Sequence, residues 1–178
     1  MGACTRVSEY MQKLTVASAS GDEEGLAEAA SDVAIMVQFS EFTRTQMVQE
    51  GAISGLLALI SEGTHTPEVC THAVSALTSL CSGGYPDVIE ATPRAVRERI
   101  AAEGGISALM LMLNEYGTRL NTAGTLKRES ASQLKLYAKA AEAITALCED
   151  SEANVEAFIA EGALLPLVAL GALARGSG

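Results

Sequence analysis

Residues 47–60, MVQEGAISGLLALI, place a glycine between two apolar stretches, and two later segments repeat this pattern. The repeats are IAAEGGISALMLML at 100–113 and FIAEGALLPLVALG at 158–171. When the three are aligned on the glycine that follows glutamate, apolar residues recur four positions before it and two, five and six positions after it. Apolar residues at helical spacing on both sides of a Glu-Gly pair predict a helix, a sharp corner and a second helix.

The glycines of these predicted corners are Gly51, Gly104 and Gly162. Glycine adopts left-handed backbone conformations that end a helix sharply, which other residues adopt only with strain. A serine lies three positions after each of the first two glycines. Because serine is a favoured N-cap residue, Ser54 and Ser107 are predicted to cap the second helix of each pair.

A third type of segment follows the corners and predicts a long amphipathic helix. The examples are EAASDVAIMV at 28–37, HAVSALTSLC at 72–81 and KAAEAITALC at 139–148. Each places small or apolar residues at i, i+1, i+4 and i+8, which lie on one face of a helix. Aromatic residues make up 4% of the chain and tryptophan is absent, so alanine and branched aliphatic residues must form the core. This composition favours closely packed helices.

The order of these segments resembles the armadillo repeat, whose unit is a short helix, a glycine corner and two antiparallel helices. EGALLPLVAL at 161–170 and HAVSALTSLC at 72–81 carry the resemblance best, and Asn154 falls where that family often has an asparagine capping the first helix. The resemblance implies an all-α, right-handed superhelix, an α-solenoid of about three repeats with incomplete terminal repeats.

The resemblance also implies one armadillo-like domain over residues 1–178. The corner glycines are 53 and 58 residues apart, against about 40–47 residues for this class of repeat. Two insertions, around 85–93 and at 114–130, account for the excess and are predicted as surface loops. The predicted units are a partial repeat at 8–39, a repeat at 40–84, a repeat with both insertions at 85–149 and a partial repeat at 150–174.

In armadillo proteins the third helices line a concave groove that binds extended peptides. Relatives that carry nuclear-import signals have a recurring Trp and Asn on these helices. Here the Trp positions hold Ser31, Ser75 and Glu142, so the resemblance is to a non-importin type. We expect a peptide- or protein-binding groove of mixed charge. Its predicted residues are Glu28, Ser31, Thr71, His72, Ser75, Ser79, Lys135, Lys139 and Glu142.

The last predicted helix is apolar and has no third helix after it to cover it. Repeat proteins need a polar cap or a further repeat at such an end. We therefore expect a docking edge there for another protein or for a second copy of the chain. Its predicted residues are Leu164, Leu167, Val168, Leu170 and Leu173.

Catalysis and nucleic-acid binding are both disfavoured by the sequence. It contains no P-loop, GxGxxG, GxSxG or HExxH motif, which predicts a protein that is not an enzyme and needs no cofactor. The net charge of −10 disfavours nucleic acid as a partner. His65, Cys70 and His72 lie close together but match no zinc spacing, so no metal site is predicted.

The cysteines indicate a reducing, cytoplasmic environment, since no CxxC pair or secretory signal accompanies them. Cys81 and Cys148 end equivalent apolar stretches and are predicted as small buried core residues. The start MGACT offers Gly2 for myristoylation and Cys4 for palmitoylation, and two lipid chains would hold the protein at a membrane surface.

Taken together, the patterns favour a non-catalytic protein–protein interaction scaffold, a subunit of a larger assembly. Two alternatives stay open at this point. One is a lipid-anchored membrane adaptor acting through Gly2 and Cys4. The other is a regulatory armadillo segment of a larger enzyme or ligase.

Overall fold

A computed structural model describes residues 2–61, 65–82, 92–123 and 131–168. These residues form helices joined by turns, with no strand among them, which confirms the all-α prediction. A short helical segment at 164–168 follows the last of the nine helices named here. The helices are α1 Gly2–Ser20, α2 Glu23–Phe39, α3 Glu41–Gln49, α4 Ala52–Ser61, α5 Pro67–Leu80, α6 Pro93–Ala102, α7 Gly105–Ala123, α8 Ala131–Cys148 and α9 Glu152–Ala160.

The three predicted corners are present, and each corner glycine has a positive φ. The angles are +84° at Gly51, +91° at Gly104 and +87° at Gly162. This left-handed conformation costs an L-residue with a side chain roughly 1–2 kcal/mol. It allows the chain to leave one helix and enter the next within a few residues, as α3 does before α4 and α6 does before α7.

Polar caps define where five of the helices begin. In each case a side-chain oxygen accepts a hydrogen bond from the backbone N–H three residues later, which satisfies a donor that the helix leaves unpaired. Pro67 and Pro93 occupy the first turn of α5 and α6, where a missing N–H has no cost. The capping residues are Asp22, Ser40, Thr66, Thr92 and Ser151.

The prediction that Ser54 and Ser107 are N-caps is wrong. Both lie inside a helix, because α4 and α7 begin directly after or close to the corner glycine. Their hydroxyl groups instead donate to the glutamate that precedes the next corner glycine. Ser8 on α1 makes the same kind of contact. We call the helices of each predicted repeat unit a helix group; three serine–glutamate hydrogen bonds then link each group to the next. The pairs are Ser8–Glu50 at 3.3 Å, Ser54–Glu103 at 2.6 Å and Ser107–Glu161 at 2.7 Å.

The long helices α2, α5 and α8 pack side by side, with α5 between the other two. The contact faces carry small residues: Ala30 on α2, Ala73 on α5 and Ala140 on α8 are each fully buried. Small side chains such as alanine allow two helices to approach closely. The many atom pairs then in contact together contribute a large dispersion energy. These three helices form one layer of the molecule.

Two polar side chains, half-buried Arg44 and buried Asn154, cap the carboxyl ends of two long helices. Arg44 donates from Nη1 to the carbonyl of Val37 near the end of α2, at 2.8 Å. Asn154 donates from Nδ2 to the carbonyl of Leu147 near the end of α8, also at 2.8 Å. The expected capping role of Asn154 on its own helix is wrong, since Ser151 caps α9 and Asn154 serves the preceding helix.

The second insertion, at 114–130, is not the loop that the sequence predicts over its whole length. The helix α7 continues to Ala123 and so includes residues 114–123. A polar composition does not by itself end a helix. The single Gly117 within this stretch costs a helix only about 1 kcal/mol relative to alanine. Residues 124–130 lie outside the described part of the chain, as do residues 85–91 of the first insertion.

Replacing Gly51 by alanine tests the corner against a matched control four residues away. Alanine at this position would meet no atom within 4 Å, so its cost of about 1–2 kcal/mol would come from the positive φ alone. Gly55 lies in the middle of α4, where a new Cβ would make ordinary contacts with Leu14 and Met11 at 3.6 and 3.7 Å.

Gly55→Ala should therefore stabilise the protein by up to about 1 kcal/mol, since alanine favours helix over glycine. Urea unfolding of both variants measures the two effects. Equal effects of the two substitutions would contradict the assigned backbone conformations.

Candidate protein-binding surfaces

The exposed side of the α2–α5–α8 layer holds eight of the nine residues predicted for the groove. We call this side the groove face. Their side chains are exposed or half-buried, and each of the three helices contributes at least two of them. These residues are Glu28 and Ser31 on α2, His72, Ser75 and Ser79 on α5, and Lys135, Lys139 and Glu142 on α8.

Thr71 is the exception, and its assignment to the groove is corrected. It is only 4% exposed, and its hydroxyl group donates to the carbonyl of Pro67 at 2.6 Å within the same helix. The sequence pattern placed Thr71 beside His72 on the accessible side of α5. It could not indicate that the neighbouring helix covers this position.

Acidic side chains line an open cleft of about 510 Å³ at the α2–α5 end of the groove face. Glu28, Ser31 and His72 were predicted there, whereas Glu24, Asp32 and Glu68 were not. The missed residues were detectable, because Glu24 and Asp32 lie one helical turn on either side of Glu28, and Glu68 lies one turn before His72. This end of the face favours positively charged ligands.

Glu23 connects the beginnings of α2 and α5 at the edge of this cleft. Its Oε1 lies 2.6 Å from Nδ1 of His65, and its Oε2 accepts the backbone N–H of Thr66 at 3.1 Å. The hydrogen bond with His65, followed by that with Thr66, lowers the pKa of the Glu23 carboxyl below its ordinary value. The carboxylate therefore orders the chain just before α5.

His72 lies between the acidic and basic parts of the groove face. Burial lowers the pKa of its imidazole and the positive charge of Lys135 lowers it further, while Glu68 acts in the opposite direction. Burial and Lys135 both favour the neutral form of the ring. On α8, Lys139 forms an ion pair with Glu142, which moderates the positive charge at that end.

The predicted C-terminal docking edge is accessible where the structure describes it. Leu164 is 60% exposed and Val168 is 66% exposed, while Leu167 is half-buried. Leu170 and Leu173 lie outside the described residues.

Other apolar residues extend this edge beyond the predicted set. A cleft of about 790 Å³ separates the end of α8 from α9 and is lined by Val155, Ile159 and Leu164, among others. Val155 and Ile159 are both exposed, and Leu165 beside them is 82% exposed. Val155 and Ile159 lie on α9, whereas the edge predicted from sequence includes only residues from Leu164 onward.

Cys81 is buried, as predicted, whereas the equivalent Cys148 is half-buried and opens into the cleft beside α9. Burial raises the pKa of the Cys81 thiol to about 12; the Arg97 cation opposes this shift and the Glu149 carboxylate adds to it. Burial also raises the pKa of Cys148. Both side chains are protonated at pH 7, which makes them poor nucleophiles.

His65 and His72, which lie close to Cys70 in the sequence, have other neighbours in the structure. His65 contacts Glu23, and Lys135 lies near His72. Among the described side chains, no group of three or more His, Cys, Asp or Glu residues is placed to hold a metal ion. Gly2 and Cys4 lie in the first turn of α1, and the side chain of Cys4 is outside the described part. None of the described helices combines the length and apolar character that crossing a bilayer requires.

Neither a scan against models of protein families nor a search of curated proteins found a match to this sequence.

Replacing Glu23 by glutamine should lower the stability at neutral pH, because the amide is a weaker acceptor for His65 and Thr66. The pKa of Glu23 is lowered in the folded state, so its contribution is present above the pKa of the unfolded chain and disappears as the pH falls through the folded value. Thermal unfolding should therefore show a difference from the wild type at about pH 7 that becomes smaller as the pH is lowered toward about 3.

Glu24→Gln is the control for this effect. It removes a charge from the same helical turn without changing the contacts to His65 and Thr66. If both variants lose the same stability at neutral pH, the charge at the start of α2 matters and the contact with His65 does not.

Proposed function

We propose that the protein is a non-catalytic interaction scaffold of the armadillo-solenoid type that holds partner proteins as a subunit of a larger assembly. The observation that carries this proposal is the row of accessible polar side chains along α2, α5 and α8. Ser31, Ser75 and Glu142 occupy equivalent positions on the three helices and all remain accessible to a ligand.

Two regularities support the solenoid. The corner glycines all have φ near +90°, and each is preceded by a glutamate that accepts a hydrogen bond from a serine of the preceding helix group. The third helix of each group also packs against its equivalent in the next. Contacts restricted to neighbouring units, repeated at a fixed register, are typical of repeat proteins.

The groove face fits an extended polypeptide better than a small molecule. Its cleft is open and crosses from one helix to another, so a chain could lie across all three helices and form hydrogen bonds at each. The acidic residues Glu28, Asp32 and Glu68 favour lysine or arginine at the α2–α5 end. Lys135 favours an acidic residue at the α8 end.

The chemistry of the face supports binding rather than catalysis. Cys70 is buried and its thiol donates to the carbonyl of Leu59, and burial raises the pKa of the Cys81 and Cys148 thiols. The neighbours that affect His72 are Lys135 and Glu68, which could orient a ligand but do not form a nucleophile–base pair with it.

A peptide-display selection tests this function. Random peptides selected on the intact protein should bind it, and the double variant Ser75→Arg/Ser79→Arg should weaken that binding by about tenfold or more, because two long cations would occupy the middle of the face. Fluorescence anisotropy with the selected peptides measures the change. Selected peptides should carry lysine or arginine toward one end.

The matched control is Ala58→Arg/Ala102→Arg, which adds the same two side chains at exposed positions of α4 and α6. Circular dichroism would establish that both double variants keep the helical content of the parent. Peptides that bind the parent and the Ser75→Arg/Ser79→Arg variant equally well would rule out the groove face as the binding surface.

A further inference from the structure

The helices α5 and α8 have matching sequences, but one equivalent face is more deeply buried in α5 than in α8. Positions 71, 74, 78 and 81 of α5 correspond to 138, 141, 145 and 148 of α8 in the HAVSALTSLC and KAAEAITALC alignment. On α5, Val74 is completely buried and Cys81 is 1% exposed. On α8, Ala141 and Cys148 are only half-buried, and Ala138 and Thr145 are exposed.

On α5, α8 lies against the helix and reaches the carboxyl end of this face. Thr78 and Cys81 line one narrow gap together with Ala143 and Leu147 of α8. The corresponding residues of α8, Thr145 and Cys148, open instead into the cleft of about 790 Å³ beside α9. The same helical face, in the same register, therefore lies against a further long helix in α5 but against none in α8, as far as the described residues extend.

The open face has the properties of a helix-binding groove. Ala138, Ala141 and Thr145 are small, which permits a neighbouring helix to approach closely. Exposed apolar side chains of α9 form the opposite wall, with Ile159 at 51% and Val155 at 37% exposure. Helices that bind such grooves do so with an apolar stripe at i, i+3, i+4 and i+7.

The charge around this groove indicates which residues should flank the apolar stripe of a partner helix. Residues 138–168 hold six acidic residues and one base, Lys139. Lys139 forms an ion pair with Glu142, and Arg97 of α6 forms one with Glu149. The other four carboxylates, which leave this edge acidic, belong to Asp150, Glu152, Glu156 and Glu161. Charge complementarity across the contact requires a partner with basic residues beside its apolar stripe.

A second copy of the chain does not supply this complement through either end of the row of helices. Two copies meeting through this edge would bring the same acidic segment against itself. The opposite edge of the molecule, at the cleft between α1 and α2, is also acidic, since Glu9, Asp22 and Asp32 line it with Lys13. Like charges at either contact would oppose self-association.

We infer that the open face of α8, together with α9, binds a basic amphipathic helix of a different protein. The inference rests on the proposed function, since it names the class of partner for one of the two surfaces of the scaffold. The partner helix would lie along α8 as α8 lies along α5, with its apolar stripe on Thr145 and Ile159. Its lysine or arginine side chains would face the acidic residues of α9 and of the turn before it.

A display library of amphipathic helices tests the inference. The library fixes leucine at i, i+3, i+4 and i+7 and varies the flanking positions among Lys, Glu, Ser and Ala, and the selection uses the full chain. We expect enrichment of lysine at the flanks and binding that weakens by about tenfold or more in the Thr145→Arg variant. Ile159→Ser, which removes apolar area without adding charge, should weaken it as well.

Two controls separate this groove from other surfaces. Leu111→Arg places the same cation at a residue of α7 that is 58% exposed, and should leave helix binding unchanged. Ser75→Arg/Ser79→Arg should also leave it unchanged, so a failure of the groove face and a failure of the α8–α9 groove can be distinguished.

Three results would overturn the inference. The first is a selection without enrichment of lysine at the flanking positions, or one whose selected helices bind the parent and the Thr145→Arg variant equally well. The second is a dimer in sedimentation experiments that Thr145→Arg dissociates, which would make a second copy the occupant. The third is helix binding by a chain ending at Val168 but not by the full chain, which would assign the face to residues 169–178.

Discussion

The left-handed backbone at the three Glu-Gly corners is the constraint on which the arrangement depends. Without it, α3 could not pass directly into α4, nor α6 into α7. Each corner also fixes the position of the glutamate before it, which then receives a serine hydroxyl group from the preceding helix group. One conformational requirement thus determines both the turn and the link between neighbours, and it brings α2, α5 and α8 side by side.

The elements that could be predicted from sequence are those governed by local periodicity. The corner glycines have few alternatives, because other residues adopt a positive φ only with strain. The faces of α2, α5 and α8 followed from small residues at i, i+1 and i+4, and Ala30 and Ala73 are buried accordingly. The side of each helix opposite its small-residue face was predicted to be accessible, and eight of the nine groove residues are exposed or half-buried.

The errors concern neighbours that lie far away in sequence. A serine near a glycine looks like an N-cap, but Ser54 and Ser107 have partners 49 and 54 residues later. Thr71 was placed on the surface, although α8 packs against its helix. Cys148 has the same local pattern as Cys81 but lacks a covering helix among the described residues. Periodicity identifies which face of a helix is apolar, but it does not identify what covers that face.

Leu165 occupies the position, three residues after a corner glycine, that Ser54 and Ser107 hold in the earlier groups. A further unit with its own Glu-Gly corner would therefore bring a carboxylate against an isobutyl group that cannot donate a hydrogen bond. The serine–glutamate link that joins the earlier groups has no donor at this position. Any protein that packs here would have to be oriented by apolar contacts instead.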